Sequence, residues 1–594
     1  MRQDGLKTKV QNFVKKHDVA IMSILLNAFI LFVMLLFFEP MYHSNDDIAM
    51  CNIVDGSKGT YDPHLIFINC AIGYLLKWLY MTFSVVPWYT VLQYVVIYVS
   101  LVVLTHIMWR RVRAPYCRCA FLVLLVAISY QNYILFQFSR TATIATIAGV
   151  LMLLNAFFEK KLSAKWLLCG YSLALVGSLF RFWQFMVVTV LLSGIGLFYL
   201  LRLIKEEKNW KRYLIQNIGV FAGLFVLVFG FYYWDQQQYN SQEWQDYKEF
   251  NTLRAELWDY GFPDYQKYKQ EYNELGIDYT TVALFRRWQS LDPERLTIDV
   301  FQKLIDLKDP KKIDKAFWKE FVREMFFNVY QIPAFFLAVF SIILWFGFNK
   351  RSRFETITVL YEVFMIGLVY LYLYFQGRYF QDRVDMGLWL SVALVVFWML
   401  TQKNDAFSLR AGVITCSILI IVGLYIAYPR FKVNIDVPQD PPLGSKRVYN
   451  DKKTKRAQIE MLSQDPEHLY LMKVGCINIE AGYGPFDRTP EDTIANLCPM
   501  GGWTSRSASD NAILKRYHVE NPYKDMIDNE NVYLVDNDIK TTMAYIRKWY
   551  SPDAKAKKVK KIGECPVYKI VIEPTEEESK DKTDKKSKAN EESD

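Results

Sequence analysis

The chain has 594 residues, of which 52% are hydrophobic and 16% aromatic, with a mean hydropathy just above zero and a net charge of +9. No single ordinary globular core holds so much apolar side chain, which points to a multi-pass membrane protein. The positive charge is spread over short loops and a Lys-rich tail, with no basic patch interleaved with aromatics, and this argues against nucleic acid as a partner.

Residues 1–18, with KTKVQNFVKK, read as a cytoplasmic N-terminus. Residues 19–38 carry no charge and are long enough to cross a bilayer of ~30 Å. The run is too long for a cleavable signal peptide and has no small-residue cleavage site, so it is expected to stay as an anchor. Further spans are predicted at residues 88–108, 120–136, 141–158, 164–180, 186–201, 218–234, 332–348, 357–375, 387–400 and 411–428, giving about eleven. Basic segments alternate between them: Arg110, Arg111 and Arg113, then Lys160 and Lys161, residues 202–212, 349–353 and 402–410. Because Lys and Arg are retained inside, the N-terminus is expected in the cytoplasm and the C-terminus outside. Residues 65–83 are also apolar, yet counting them as a span would place Arg110 outside and reverse every later loop. They hold Asn69 and Lys77 near one helical face and read as an interfacial or re-entrant helix.

Polar residues gather on the outer side of this topology. The first external loop, residues 39–64, carries Glu39, His43, the adjacent pair Asp46 and Asp47, Asp55, Asp62 and His64. Arg140 begins the fourth span and Arg181 ends the fifth, while Arg378, Asp382, Arg383 and Asp385 fill the loop GRYFQDRVD. Ionisable groups at a membrane edge mark a site. Acids opposed by arginines suited to bidentate phosphate contacts are what transfer from a phosphate-linked donor requires. Taken singly, each has a blander reading: a solvated loop for Asp46 and Asp47, interface anchors for Arg140 and Arg181, loop ion pairs for Arg378 and Arg383, and a loop hydrogen bond for His64 or His43. Glu362, inside the ninth span, has no evident partner in the sequence.

Residues 235–331 form an insertion rich in Tyr and Trp, with amphipathic stretches at 296–307 and 313–327, long enough to fold and cap a site. Its aromatics suit stacking on sugar rings or packing on the membrane surface. After the last span, the linker VPQDPPLG leads into a small α/β domain within residues 429–573. Strand-like runs lie at 468–474, 531–536 and 566–572, and helical stretches at 452–463 and 539–549. The loops GYGPFDRTPEDT and CPMGGWTSRS have turn chemistry but match no phosphate-loop or dinucleotide fingerprint. Residues 574–594 read as a disordered charged tail. The nine cysteines lack metal-ligand spacing. Those placed outside, Cys51, Cys70, Cys476, Cys498 and Cys565, are odd in number, and a pair among the last three stays open.

This layout resembles the GT-C glycosyltransferase superfamily, polytopic enzymes that take a sugar from a polyprenyl-phosphate carrier at the outer membrane face. Asp46 and Asp47 followed by residues 65–83 are similar to that superfamily's acidic first loop and interfacial helices, and the large external insertion and outer soluble domain match it too. The resemblance implies an α-helical polytopic membrane protein with a small external α/β C-terminal domain, a generic bacterial member set in the plasma membrane. It implies that Asp46 or Asp47 activates an acceptor hydroxyl, that Arg140, Arg181, Arg378, Arg383 and His64 serve substrate and phosphate, and that the acceptor is a cell-envelope polymer or glycolipid. In members where a divalent cation such as Mg or Mn takes part, the same two acids hold it. The oligosaccharyltransferase motif WWDYG is present only as LWDYG at residues 257–261, inside the insertion. A transporter or flippase of lipid-linked glycans is the rival reading, for which no internal repeat is visible, and a non-catalytic envelope scaffold is a third.

Overall fold

A helix falls on every predicted span from residues 19–38 to 387–400. The computed structural model describes residues 2–112, 115–158, 163–329, 333–346, 353–378, 382–400 and 446–572. The predicted span at 411–428, the linker at 437–444 and the charged tail at 574–594 lie outside the described residues. In chain order the first part comprises α1 (Arg2–Phe37), β1 (Met41–Tyr42), α2 (Asn45–Val54), α3 (Cys70–Thr82), α4 (Trp88–Arg111), α5 (Pro115–Tyr133), β2 (Leu135–Phe136), α6 (Phe138–Phe158), α7 (Ala164–Phe180), α8 (Phe182–Glu206) and α9 (Trp210–Gln238). The insertion adds α10 (Gln242–Trp258), α11 (Lys269–Glu274), α12 (Tyr279–Phe285), α13 (Ile298–Asp306) and α14 (Lys315–Val329). The chain then returns to the bundle with α15 (Pro333–Phe346), α16 (Arg353–Gln376) and α17 (Asp382–Leu400). Among the described residues, 7 helices are long and apolar enough to cross a membrane, and shorter apolar helices at Ala164–Phe180 and Ala334–Trp345 accompany them. The protein is a multi-pass membrane protein.

Helix α6 lies at the centre, buried along nearly its whole length. It packs closely on α7 because small residues meet: a Cβ on Gly149 would lie 2.4 Å from the Ala174 nitrogen, and one on Gly177 would lie 2.4 Å from Thr146 Oγ1. Between apolar helices in lipid, such close backbone approach is a main source of attraction.

Strands β1 and β2 pair in parallel, Met41 with Leu135 and Tyr42 with Phe136, so the ends of α1 and α5 lie on one face of the bundle. That pairing requires an even number of crossings between them, which α4 and α5 supply, and α3 therefore does not cross. At 13 residues it is also only ~20 Å long, short of a ~30 Å core. Tyr74, Leu75, Trp78 and Met81 are exposed on one side of α3 while Ile72, Leu76 and Tyr80 are buried on the other. Asn69 fixes its start, accepting from the Ala71 N–H at 2.9 Å and donating to the Phe231 carbonyl at 3.0 Å.

The C-terminal domain contains α18 (Lys446–Ser463), β3 (Leu469–Met472), α19 (Ile479–Gly482), β4 (Leu497–Pro499), α20 (Ala508–Arg516), α21 (Pro522–Asp525), β5 (Val532–Val535), α22 (Ile539–Trp549), β6 (Ala554–Ile562) and β7 (Cys565–Ile572). The sheet order is β4-β3-β5-β7-β6; β3 is parallel to β4 and β5, and β7 is antiparallel to β5 and β6. The period of two along LYLM decides the layers. Leu469 and Leu471 join Ile513, Met543 and Ile546 on one face, and Tyr470 and Met472 join Ile459 and Leu462 on the other. The first of these cores also takes in Leu284 and Leu291, so the insertion packs into the domain.

Candidate active site

Asp46 and Asp47 open α2, where acids complement the positive end of the helix. Neighbours on a helix point about 100° apart, and here that angle separates two environments. Asp47 turns inward and is fully buried. Its Oδ1 accepts from Tyr89 Oη at 2.9 Å and from the backbone N–H of Phe138 at 3.0 Å, so it caps the start of α6. Its Oδ2 has no hydrogen bond among the described residues, with the Gln93 amide beside it. Burial, which outweighs these donors, pushes its carboxyl up to about 8.

Asp46, itself largely buried, lies where the first loop, α17 and the C-terminal domain meet. Arg383 Nη1 donates to its Oδ2 at 2.7 Å and Trp503 Nε1 donates to its Oδ1 at 3.1 Å. Nearby, Arg181 sits between α7 and α8 with its guanidinium carbon 4.9 Å from the Phe67 ring centre and 5.3 Å from that of Phe138. Burial lowers its pKa to about 10, and Arg383 adds to the effect, so it remains a cation at neutral pH. The charges that act on it are Arg383, Asp46 and Arg378, so arginines outnumber carboxylates around it. Arg378 lies 5.5 Å from the ring centre of Tyr260, a residue of the insertion. A groove of ≈ 850 Å³ opens beside Arg181, lined by Phe67, Asn69, Trp183, Phe231 and Asp235 among others.

The structure therefore brings Asp46, Arg181, Arg378 and Arg383 together, with Asp47 directly behind. It does not bring Arg140 or His64 there. Arg140 is fully buried and donates through Nη1 to the carbonyls of Gln131 and Leu135, at 3.0 and 3.1 Å. Through Nη1 its guanidinium holds the end of α5 and β2. His64 has Nδ1 2.6 Å from Asp62 Oδ1 and Nε2 3.1 Å from the Gln238 carbonyl, and its ring packs on Tyr239 and Trp244. It ties the first loop to the end of α9 and has no ring nitrogen left for a substrate.

The acids do not fit a divalent cation. Both Asp46 oxygens already face donors, one of them cationic, and Asp47 is enclosed by an O–H and an N–H. Among the described residues no cluster of His, Cys, Asp or Glu has the makings of a metal site.

Among solved structures the chain is similar to ArnT from Cupriavidus metallidurans bound to undecaprenyl phosphate. That likeness has 11% sequence identity and a TM-score of 0.35, over 93% of this chain and 98% of that one. No family model matches the chain, and no curated protein matches it either.

Several residues of the site lie outside the set read from the sequence. Trp503 stands in the run CPMGGWTSRS, which reads only as a turn, yet its ring also packs on Phe67 at 4.7 Å. Arg488, from the loop GYGPFDRTPEDT, donates to Asp55 Oδ2 at 2.9 Å and to the Ser84 carbonyl at 2.7 Å, locking the first loop under the C-terminal domain. Lys58 and Asp510 form a buried ion pair at 2.5 Å across the same contact. Their one signal in the sequence is charge placed in loops with turn chemistry, which does not say what those charges meet.

Proposed function

We propose that the protein is a membrane glycosyltransferase that moves a sugar from a polyprenyl-phosphate-linked donor to a cell-envelope polymer or glycolipid. The observation that carries this reading is Asp46, held between Arg383 and Trp503 and set beside Arg181, whose guanidinium meets two aromatic rings at the head of a groove. A cation of this kind is what a lipid phosphate would meet as its apolar chain lies along the membrane helices. The alternation of basic loops supports an outer-facing site, a cytoplasmic N-terminus, an extracellular C-terminal domain and a plasma-membrane setting.

In the proposed reaction the acceptor oxygen attacks the anomeric carbon as the bond from that carbon to the phosphate oxygen breaks. Asp46 takes the hydroxyl proton, and the departing polyprenyl phosphate keeps the electron pair. Arg181, Arg378 and Arg383 stabilise the charge that grows on the phosphate. Direct displacement inverts the anomeric centre. Asp47 keeps its proton near neutrality and holds α2 against α6, which leaves Asp46 as the base.

The test is release of free polyprenyl phosphate from a panel of polyprenyl-phosphate sugars by purified protein in nanodiscs. Wild type is expected to release it, with Asp46→Asn slower by roughly 10²–10⁴-fold, the usual worth of a general base. Equal turnover by Asp46→Asn would remove Asp46 from the mechanism. Specific binding of these lipids with no release from any of them would favour a flippase.

A further inference from the structure

The three parallel strands of the C-terminal sheet stand in the order β4-β3-β5: the chain leaves β3 to one side for β4, then crosses over to the other side for β5. In an open α/β sheet such a reversal leaves a crevice outside the carboxyl ends of the two strands, and that crevice is where ligands bind. A crevice of ≈ 900 Å³ lies there. Gly475, Cys476 and Asn478 line it from the end of β3, Asn537 from the end of β5, and Lys455 and Gln458 from one face of α18. None of these residues belongs to the site around Asp46.

The lining has a defined chemistry. Gln458, Asn478 and Asn537 bring amides, and Asn478 makes no capping bond with the short helix it precedes. Asn537 Oδ1 accepts from Lys473 Nζ at 2.6 Å, which leaves its amide nitrogen to donate. Ile459, Ile477 and Ile562 give an apolar floor. Gly475 has φ +84° with open space where a Cβ would be, so bare backbone faces the cavity. Lys455 and Lys473 both act electrostatically on Cys565 at the wall, while Glu564 on the rim disfavours a second anionic group.

We infer that this crevice is a second binding site, for a single sugar unit carrying one phosphate or carboxylate group. The amides meet its hydroxyls, the isoleucines meet the apolar face of its ring, and Lys455 meets its charge. The site does not depend on the transfer reaction proposed above.

The wall supplies its own reporter, because Cys565 Sγ donates to the Cys476 carbonyl at 2.7 Å and both thiols are free. Full-length protein in nanodiscs is treated with iodoacetamide, and labelling of Cys476 and Cys565 is followed by mass spectrometry. The probes are N-acetylglucosamine 1-phosphate, N-acetylglucosamine and inorganic phosphate. The sugar phosphate at ten times its dissociation constant is expected to slow labelling about tenfold, with neither part alone doing so at that concentration. Lys455→Glu and Asn478→Ala are expected to lose the protection, and Lys453→Glu, an exposed position on the same helix, to keep it. Asp46→Asn is expected to keep it too, which separates this inference from the transfer reading. No protection by the sugar phosphate, equal protection by phosphate alone, or full protection in Lys455→Glu would overturn the assignment.

Discussion

Asp46 and Asp47 show how one residue step changes the chemistry of a carboxyl. Asp47, buried against Tyr89 and the start of α6, has its carboxyl pushed up to about 8. An acid whose folded value lies above its unfolded one binds more protons in the native state between the two. Its contribution to stability is therefore full at low pH and is lost as pH rises toward about 8. Asp55 acts in the same direction only up to about 6, because burial raises it while Arg488 pulls it back. The window from about 6 to 8 thus belongs to Asp47 in this pair. Asp47→Asn keeps an oxygen for Tyr89 Oη and the Phe138 N–H, so it is expected to fold, with a Tm that falls less between pH 6 and 8 than that of the wild type. Thermal unfolding in detergent, scanned by pH, reads this; parallel curves would remove Asp47 as the titrating group. Asp47→Ala removes the acceptor and is expected to cost ~1–3 kcal/mol. The acidic pair was legible in the sequence as a pair, but burial, which divides the roles, was not. Nor does a sequence show that Arg140 is fully buried, with Nη1 donating to the carbonyls of Gln131 and Leu135.

At the level of elements, apolar length was enough to locate the described helices of the bundle, and the basic loops predict that α3 does not cross. The parallel pairing of β1 with β2 reaches the same parity from hydrogen bonds alone. Thr60 and Ser84 flank α3 and are exposed. Single cysteines at these positions are expected to react equally with an impermeant maleimide added to intact cells; reaction at one position only would mean that α3 spans. The strands were read less completely. β4 has three residues and leaves too short a pattern to see. β6, AKAKKVKKI, is not among the strand-like runs read from the sequence, yet it pairs along β7 as an edge strand, where lysines discourage pairing with another chain. The predicted helical stretch at 539–549 coincides with α22 because its apolar stripe repeats at the helical period.

On the scale of the whole molecule, Asp46 is where segments far apart in the chain converge: the first loop, Arg383 at the start of α17, and Trp503 of the C-terminal domain. The loop that carries Trp503 is fixed against the insertion. Met500 O accepts from the Ser290 and Leu291 N–H groups, and Arg506 donates to the carbonyls of Ser290, Asp292 and Leu296. A Cβ on Gly501 would meet the Trp288 carbonyl oxygen at 1.6 Å, so only glycine permits that approach. Tyr247 Oη, also from the insertion, donates to the Trp503 carbonyl at 2.6 Å. With the loop held this firmly, the indole N–H is a fixed donor to the Asp46 carboxylate. Trp503→Phe keeps the ring against Phe67 and removes the donor. A hydrogen bond to a charged group contributes ~1.5–3 kcal/mol, so turnover is expected to fall roughly 10–100-fold. Binding of the carrier lipid should stay as in the wild type, because the ring packing and Arg181 are untouched, while Tm falls modestly with the lost bond. A variant that releases polyprenyl phosphate at the wild-type rate would show that the domain only shields the site. Loss of carrier-lipid binding together with turnover would make Trp503 a packing residue alone.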